Sequence, residues 1–202
     1  MVKKLILIIP GILTDIYKSG FSDLSKTTDR DYDIKIYNVY RTLTQRSTIK
    51  GLVIDLKKDL NKLAKKYKDI FIITHSSGSE LILQNGLNKN IKFLVFWSPA
   101  MFFPQQVVSS LKTDPKNSNL LITKDHVRIG KKLAKDLDGL NTKNLIKNIK
   151  KPYLVYLSKE DLGHKLWPKS NYLKIPYGHN YLKTEKSVML KKAKVIFSNH
   201  KI

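Results

Sequence analysis

The chain has 202 residues, which suits one domain, residues 1–202, with a sizeable core. Its 38 Lys and Arg against 16 Asp and Glu leave a net charge of +22, and the absence of cysteine excludes disulfides, thiolate catalysis and cysteine metal sites. No run approaches the roughly 18 apolar residues of a membrane-spanning helix, and a reducing setting is compatible, so the chain is read as cytoplasmic.

The first element is the apolar run Leu5 to Ile9, a β-strand rather than a signal segment, because Pro10-Gly11 breaks it after five residues. Pro10-Gly11-Ile12-Leu13-Thr14-Asp15 reads as a loop, followed by an irregular polar stretch to Asp33. Ile34 to Tyr40 alternates as a second strand, nearer the sheet edge. Ser47 or Thr48 caps a helix in which Ile49, Leu52, Val53, Leu56, Leu60, Leu63 and Ala64 recur at spacings of three and four.

Phe71-Ile72-Ile73-Thr74-His75-Ser76-Ser77-Gly78-Ser79-Glu80-Leu81-Ile82 is the stretch around which the rest is organised. It reads as a buried strand, a sharp turn with Ser76 at the apex, and a helix ending near Asn85-Gly86. Glu80 falls in the first helical turn, where a negative charge suits the dipole. The frame is that of a nucleophile elbow, Gly-x-Ser-x-Gly, with Thr74 and Gly78 at the flanking positions. A polar strand-to-helix cap is the plainer reading of the same residues. Centring the frame on Ser77 would place His75 where a small side chain is required.

Ile91 to Trp97 is the next strand, ending in Ser98-Pro99-Ala100. Ser118 to Ile149 reads as two helices split at Asp138-Gly139. Pro152 to Leu157 and Tyr172 to Ile175 are further strands, and Thr184 to Ser198 is a closing helix. Strands alternating with helices predict an α/β fold: a mainly parallel sheet of about six strands with helices on both faces. In such sheets, sites form at the carboxyl edge.

Three polar residues follow strands in a telling order: Ser76, then Asp161 in Leu157-Ser158-Lys159-Glu160-Asp161, then His179 in Tyr177-Gly178-His179-Asn180. With the loop Ile9-Pro10-Gly11-Ile12, the elbow Thr74 to Gly78, Trp97-Ser98-Pro99 and Lys151 to Val155, this pattern resembles the α/β-hydrolase superfamily, in particular its small esterase-like and lipase-like members. The resemblance runs from Leu5 to the last helix. It implies a serine hydrolase acting on a carboxylic ester, with Ser76 as nucleophile, Asp161 as acid, His179 as base, and the backbone amides of Ile12 and Ser77 as the oxyanion hole. A thioesterase or acyltransferase would use the same residues.

The sequence departs from the family pattern in three places. Pro10 stands where many members have His, Thr74 replaces Gly, and the stretch between Asp161 and Gly178 is short for a full helix. Glu160 is a rival acid and His164 a rival base. His75 is expected to pack beneath the elbow, and His126 and His200 to lie on the surface. Members of the superfamily often insert a lid between the strands flanking 101–150, where Phe102, Phe103, Val107 and Val108 would line an acyl pocket; packing of a crossover helix accounts for the same residues.

The expected partner is a small ester or acyl substrate, with no cofactor and no metal. Histidine spacings match no metal site, and no Gly-rich phosphate loop is present. The basic residues are nearly all Lys, with Arg only at 30, 41, 46 and 128. Arg is the residue that binds phosphate bidentately, so the charge reads as compositional bias rather than specific nucleic-acid recognition. It would still attract polyanions and anionic membrane surfaces without specificity. A second reading is therefore a catalytically weak hydrolase-like protein serving as a basic binding or interaction module.

Overall fold

The computed structural model describes residues 4–12, 14, 16–17, 19–39, 47–85, 89–99, 111–122, 128–138, 142–158, 167–174 and 184–199. The elements in chain order begin with β1 (Lys4–Ile9), α1 (Phe21–Leu24), β2 (Tyr32–Ile36), α2 (Ile49–Lys66), β3 (Ile70–His75), α3 (Gly78–Leu83) and β4 (Ile91–Trp97). They continue with β5 (Lys112–Asp114), β6 (Asn117–Ile122), β7 (Arg128–Gly130), α4 (Lys131–Asp138), α5 (Thr142–Lys147), β8 (Tyr153–Leu157), β9 (Tyr172–Lys174) and α6 (Thr184–Asn199).

Six strands form one sheet in the order β2-β1-β3-β4-β8-β9, and every neighbouring pair is parallel. The fold is α/β, as the alternation of elements predicts, with β2 at an edge. Side chains leave a strand on alternate faces, and here both faces are covered. Leu5, Leu7, Ile9, Ile70, Ile72, Leu94 and Phe96 point into one apolar cluster with Leu52, Leu56 and Leu60 of α2 and Leu81 of α3. Ile6, Ile8, Phe71, Ile73, Phe93 and Val95 point into the other, with Phe21 of α1 and Met189, Ala193 and Phe197 of α6. Burial on two sides is why β1, β3 and β4 are continuous apolar runs in the sequence.

Helix α2 starts where its cap signal predicts. The Thr48 hydroxyl accepts the Gly51 N–H at 3.0 Å. Strand β2 is displaced from the sequence reading, beginning at Tyr32 and ending at Ile36. Lys4 pairs with Tyr32 in the register, so the edge pairing starts earlier than the visible alternation.

One correction concerns residues 118–122 and 128–130, which form strands rather than helix. Strands β5, β6 and β7 make a separate antiparallel sheet between β4 and β8. Its first turn is built on Asp114-Pro115-Lys116-Asn117, where the Asp114 carboxylate accepts the Lys116 N–H at 2.8 Å, a local bond that favours a turn over a helix. Arg128 Nε then reaches Asp114 Oδ2 at 2.7 Å and ties β7 back to β5. The two helices α4 and α5 follow, separated around 139 as expected. The insertion packs onto the α2 side of the sheet through Ile129, Leu133, Ala134 and Ile146. Asp136 of α4 accepts the Ile49 N–H at 3.1 Å, so this helix caps the start of α2.

Between β8 and β9 the described residues hold only a 3-10 turn, Lys169–Asn171. Trp167 fills the space on that face of the sheet, with ring centroids 5.0 Å from Phe96 and 5.7 Å from Tyr153.

Candidate active site

The turn between β3 and α3 is tight, and one residue takes the strain. Ser76 has φ 50°, in the left-handed region, while Ser77 is helical at φ −63°. A left-handed conformation is uncommon for a residue other than glycine, and persists only where the surroundings enforce it. They do so here from both sides. The Ser76 N–H is shared between the carbonyls of Trp97 (3.3 Å) and Ser98 (3.1 Å) at the end of β4, and the Ser76 carbonyl accepts the Ser79 N–H at 3.1 Å. Ser98 is itself left-handed, at φ 41°.

Gly78 is required by close packing. A Cβ there would press into the carbonyl oxygens of Ile9 and Pro10 and sit 2.9 Å from the Pro10 carbonyl carbon. Helix α3 therefore starts directly against the end of β1. Gly11 is similarly hemmed in: a Cβ would lie 2.9 Å from Thr14 Oγ1, 3.2 Å from Ser76 Cβ and 3.4 Å from Ser77 Oγ. The loop after β1 thus rests on Ser76 and Ser77.

Thr74, where the elbow pattern has glycine, is fully buried and its hydroxyl lies 2.8 Å from the Ser79 hydroxyl. The larger side chain is tolerated because the facing residue on α3 is small and supplies the polar partner. His75 packs its ring against Phe21, centroids 5.6 Å apart, on the side of the sheet away from α3.

Ile12, Ser76 and Ser77 are brought together. The Ile12 N–H, expected to face a substrate oxygen, donates to Ser77 Oγ at 2.9 Å inside the protein. Asp161, His179 and the rivals Glu160 and His164 lie outside the described residues, as do His126, His200, Phe102, Phe103, Val107 and Val108. Their supporting strands are described. Strands β8 and β9, which precede Asp161 and His179 in the sequence, are parallel neighbours with Leu157 paired to Lys174, so their described ends lie side by side at the same edge. That edge is also where β3 delivers Ser76. Among the described residues, no group of three His, Asp or Glu side chains has the placement of metal ligands.

Glu80 needs a second correction. Its first-turn position is as read, but it is fully buried and neither carboxylate oxygen has a hydrogen-bond partner. Burial pushes its pKa up to about 8, so at neutral pH it is a neutral acid rather than a charge serving the helix dipole. Helices α2 and α5 both pack on α3, and nothing in the local sequence signals that packing.

Comparison with solved structures gives one architecture throughout. Est1E from Butyrivibrio proteoclasticus, in a structure with ferulic acid bound, superposes with TM-score 0.72 at 16% identity, over 98% of this chain and 90% of that one. A structure reported for the metagenome-derived lipolytic enzymes LipS and LipT gives 0.70 at 14% identity, over 99% and 96%. A hydrolase from Oleispira antarctica gives 0.68 at 16% identity, over 98% and 92%. This chain has the α/β-hydrolase fold. No family model matches its sequence, and no curated protein does either. The β3–α3 turn and the loop after β1 are the two segments that meet at Ser76 and Gly11.

Proposed function

We propose that the protein is a serine hydrolase that cleaves a carboxylic ester through an acyl-enzyme on Ser76. The observation that carries the reading is the left-handed Ser76, its N–H held by the β4 carbonyls and its Cβ packed by the loop at Gly11. Strain of this kind clusters at functional sites, where the surroundings hold it in place. The esterase and lipase descriptions of the structural neighbours support the same reaction class.

In this reading His179 takes the Ser76 proton as the hydroxyl attacks the ester carbonyl, because a serine hydroxyl is a weak nucleophile without a base. Asp161 holds the imidazole in the tautomer that faces Ser76 and stabilises the imidazolium. The carbonyl oxygen becomes an oxyanion beside the β1 loop. The tetrahedral intermediate then expels the alcohol, which receives the proton from His179, and water repeats the sequence to release the acid. The insertion of β5 to β7 with α4 and α5 is the lid segment of this reading, since it stands between β4 and β8 and braces the start of α2.

The test is turnover of a short p-nitrophenyl ester, with a feruloyl ester included because Est1E is seen with ferulic acid bound. Wild-type protein should hydrolyse at least one of them, and Ser76→Ala should lose the activity while keeping its melting temperature. Equal turnover by the two proteins refutes the assignment of the nucleophile.

A further inference from the structure

The Ile12 amide and the Ser77 side chain are locked together in the loop that packs on the proposed nucleophile. The Ile12 N–H donates to Ser77 Oγ at 2.9 Å, and Ser77 is 2% exposed. A hydroxyl can accept and donate at once. Here the oxygen accepts from Ile12, while no acceptor takes the hydroxyl hydrogen among the described residues. The position beside the nucleophile is fixed by the glycine that separates them: the point 3.2 Å from Ser76 Cβ at which a Gly11 side chain would start is also 3.4 Å from Ser77 Oγ. A buried, unspent donor therefore lies within one residue's reach of the reacting serine, and the amide expected to serve there is already engaged.

We propose that the Ser77 side-chain hydroxyl, with the Ile12 amide behind it, is an oxyanion donor in this enzyme. The inference rests on the reading of Ser76 as nucleophile and deepens it. As Ser76 Oγ bonds to the carbonyl carbon, the carbonyl π pair moves onto oxygen, and the Ser77 O–H donates to that oxygen without transferring its proton. Donation from Ile12 polarises the hydroxyl, since hydrogen bonds in a chain strengthen one another. When the intermediate collapses the C=O bond re-forms, the alcohol leaves with the proton held by the base, and Ser77 returns to rest unchanged. The hydroxyl oxygen is already held by the Ile12 N–H in the resting protein, and preorganised groups contribute most.

The experiment compares wild type, Ser77→Ala and Ser77→Cys, using the ester that wild type turns over. Removing an oxyanion donor typically lowers kcat by about 10²–10³-fold, and Ser77→Ala should show a loss of that order with KM little changed. The inhibition constant of a trifluoromethyl ketone, whose Ser76 adduct carries a real oxyanion, should rise by the same factor, a response that a purely structural role would not produce. If the alanine variant fails to fold, Ser77→Cys carries the test with the same expectations, because a thiol keeps the shape but is a weak donor. A Ser77→Ala enzyme as fast as wild type or faster overturns the proposal, and means that the Ile12 amide, released from Ser77, is the donor. Absence of wild-type turnover on every ester, with no labelling of Ser76, refutes the hydrolase reading itself and takes this inference with it.

Discussion

Glu80→Gln should make the protein's stability less sensitive to alkali, by an amount that follows from the buried carboxyl. In the folded state its pKa is raised from 4.5 to about 8 by desolvation. Between those values the folded protein keeps a proton that the unfolded chain releases, so unfolding liberates a proton and rising pH favours it. The difference between wild type and variant should therefore be constant at pH 4.5 and below. Above that, wild type should fall behind by about 1.4 kcal/mol per pH unit, reaching a ceiling of about 5 kcal/mol near pH 8 and staying there. For a chain of this size that is a difference in melting temperature of about 10–20 °C between acid and alkaline conditions. The new amide of glutamine shifts the whole curve by a constant, so the quantity to read is the change in the difference between the two proteins. Thermal melts from pH 4.5 to 9 supply it, and other titrations cancel because both proteins share them. Parallel curves would refute the reasoning: Glu80 would then be ionised in the folded protein.

Gly78→Ala should destabilise the fold by about 3 kcal/mol, near the upper end of overpacking costs, because the added methyl meets backbone rather than a movable side chain; chemical denaturation reads this, and a variant as stable as wild type would mean that α3 does not abut β1. Asp161→Asn should cut kcat by up to about 10⁴-fold by favouring the wrong imidazole tautomer, while Glu160→Gln should cost far less, since in the proposed mechanism it holds no imidazole. A reversed ranking exchanges the two roles. His179→Ala should remove nearly all turnover, and retention of activity alongside its loss in His164→Ala would move the base to the other histidine.

The sheet was legible because its strands are buried on both faces. Leu5–Ile9, Phe71–Ile73 and Phe93–Trp97 carry apolar residues at consecutive positions, and a run of that kind bounded by Pro-Gly or a Ser-rich turn has few alternatives. The elbow was legible because Gly78 is demanded locally, by the contact of one strand end with one helix start. Residues 118–122 and 128–130 misled for the opposite reason. Strands β5 to β7 are short and largely exposed, and their spaced apolar residues fit a helix as well as a strand. The signal that decides between them is the Asp114-Pro115 turn, whose carboxylate takes a backbone N–H two residues on. Glu80 was placed correctly along the helix and wrongly in depth. Helix α3 is packed by α2 and α5, which arrive from opposite sides in sequence, and a first-turn charge argument does not register that packing. The Ile12–Ser77 bond spans 65 residues; the sequence brings both residues to the site but does not indicate that one would occupy the other.

The central claim is that the strained serine is the nucleophile. Its most direct measurement is covalent labelling with a fluorophosphonate followed by peptide mass spectrometry. The account predicts a single adduct on Ser76, formed by native protein, abolished by heat denaturation and absent from Ser76→Ala. An adduct on Ser77, or labelling that survives in Ser76→Ala, would contradict it.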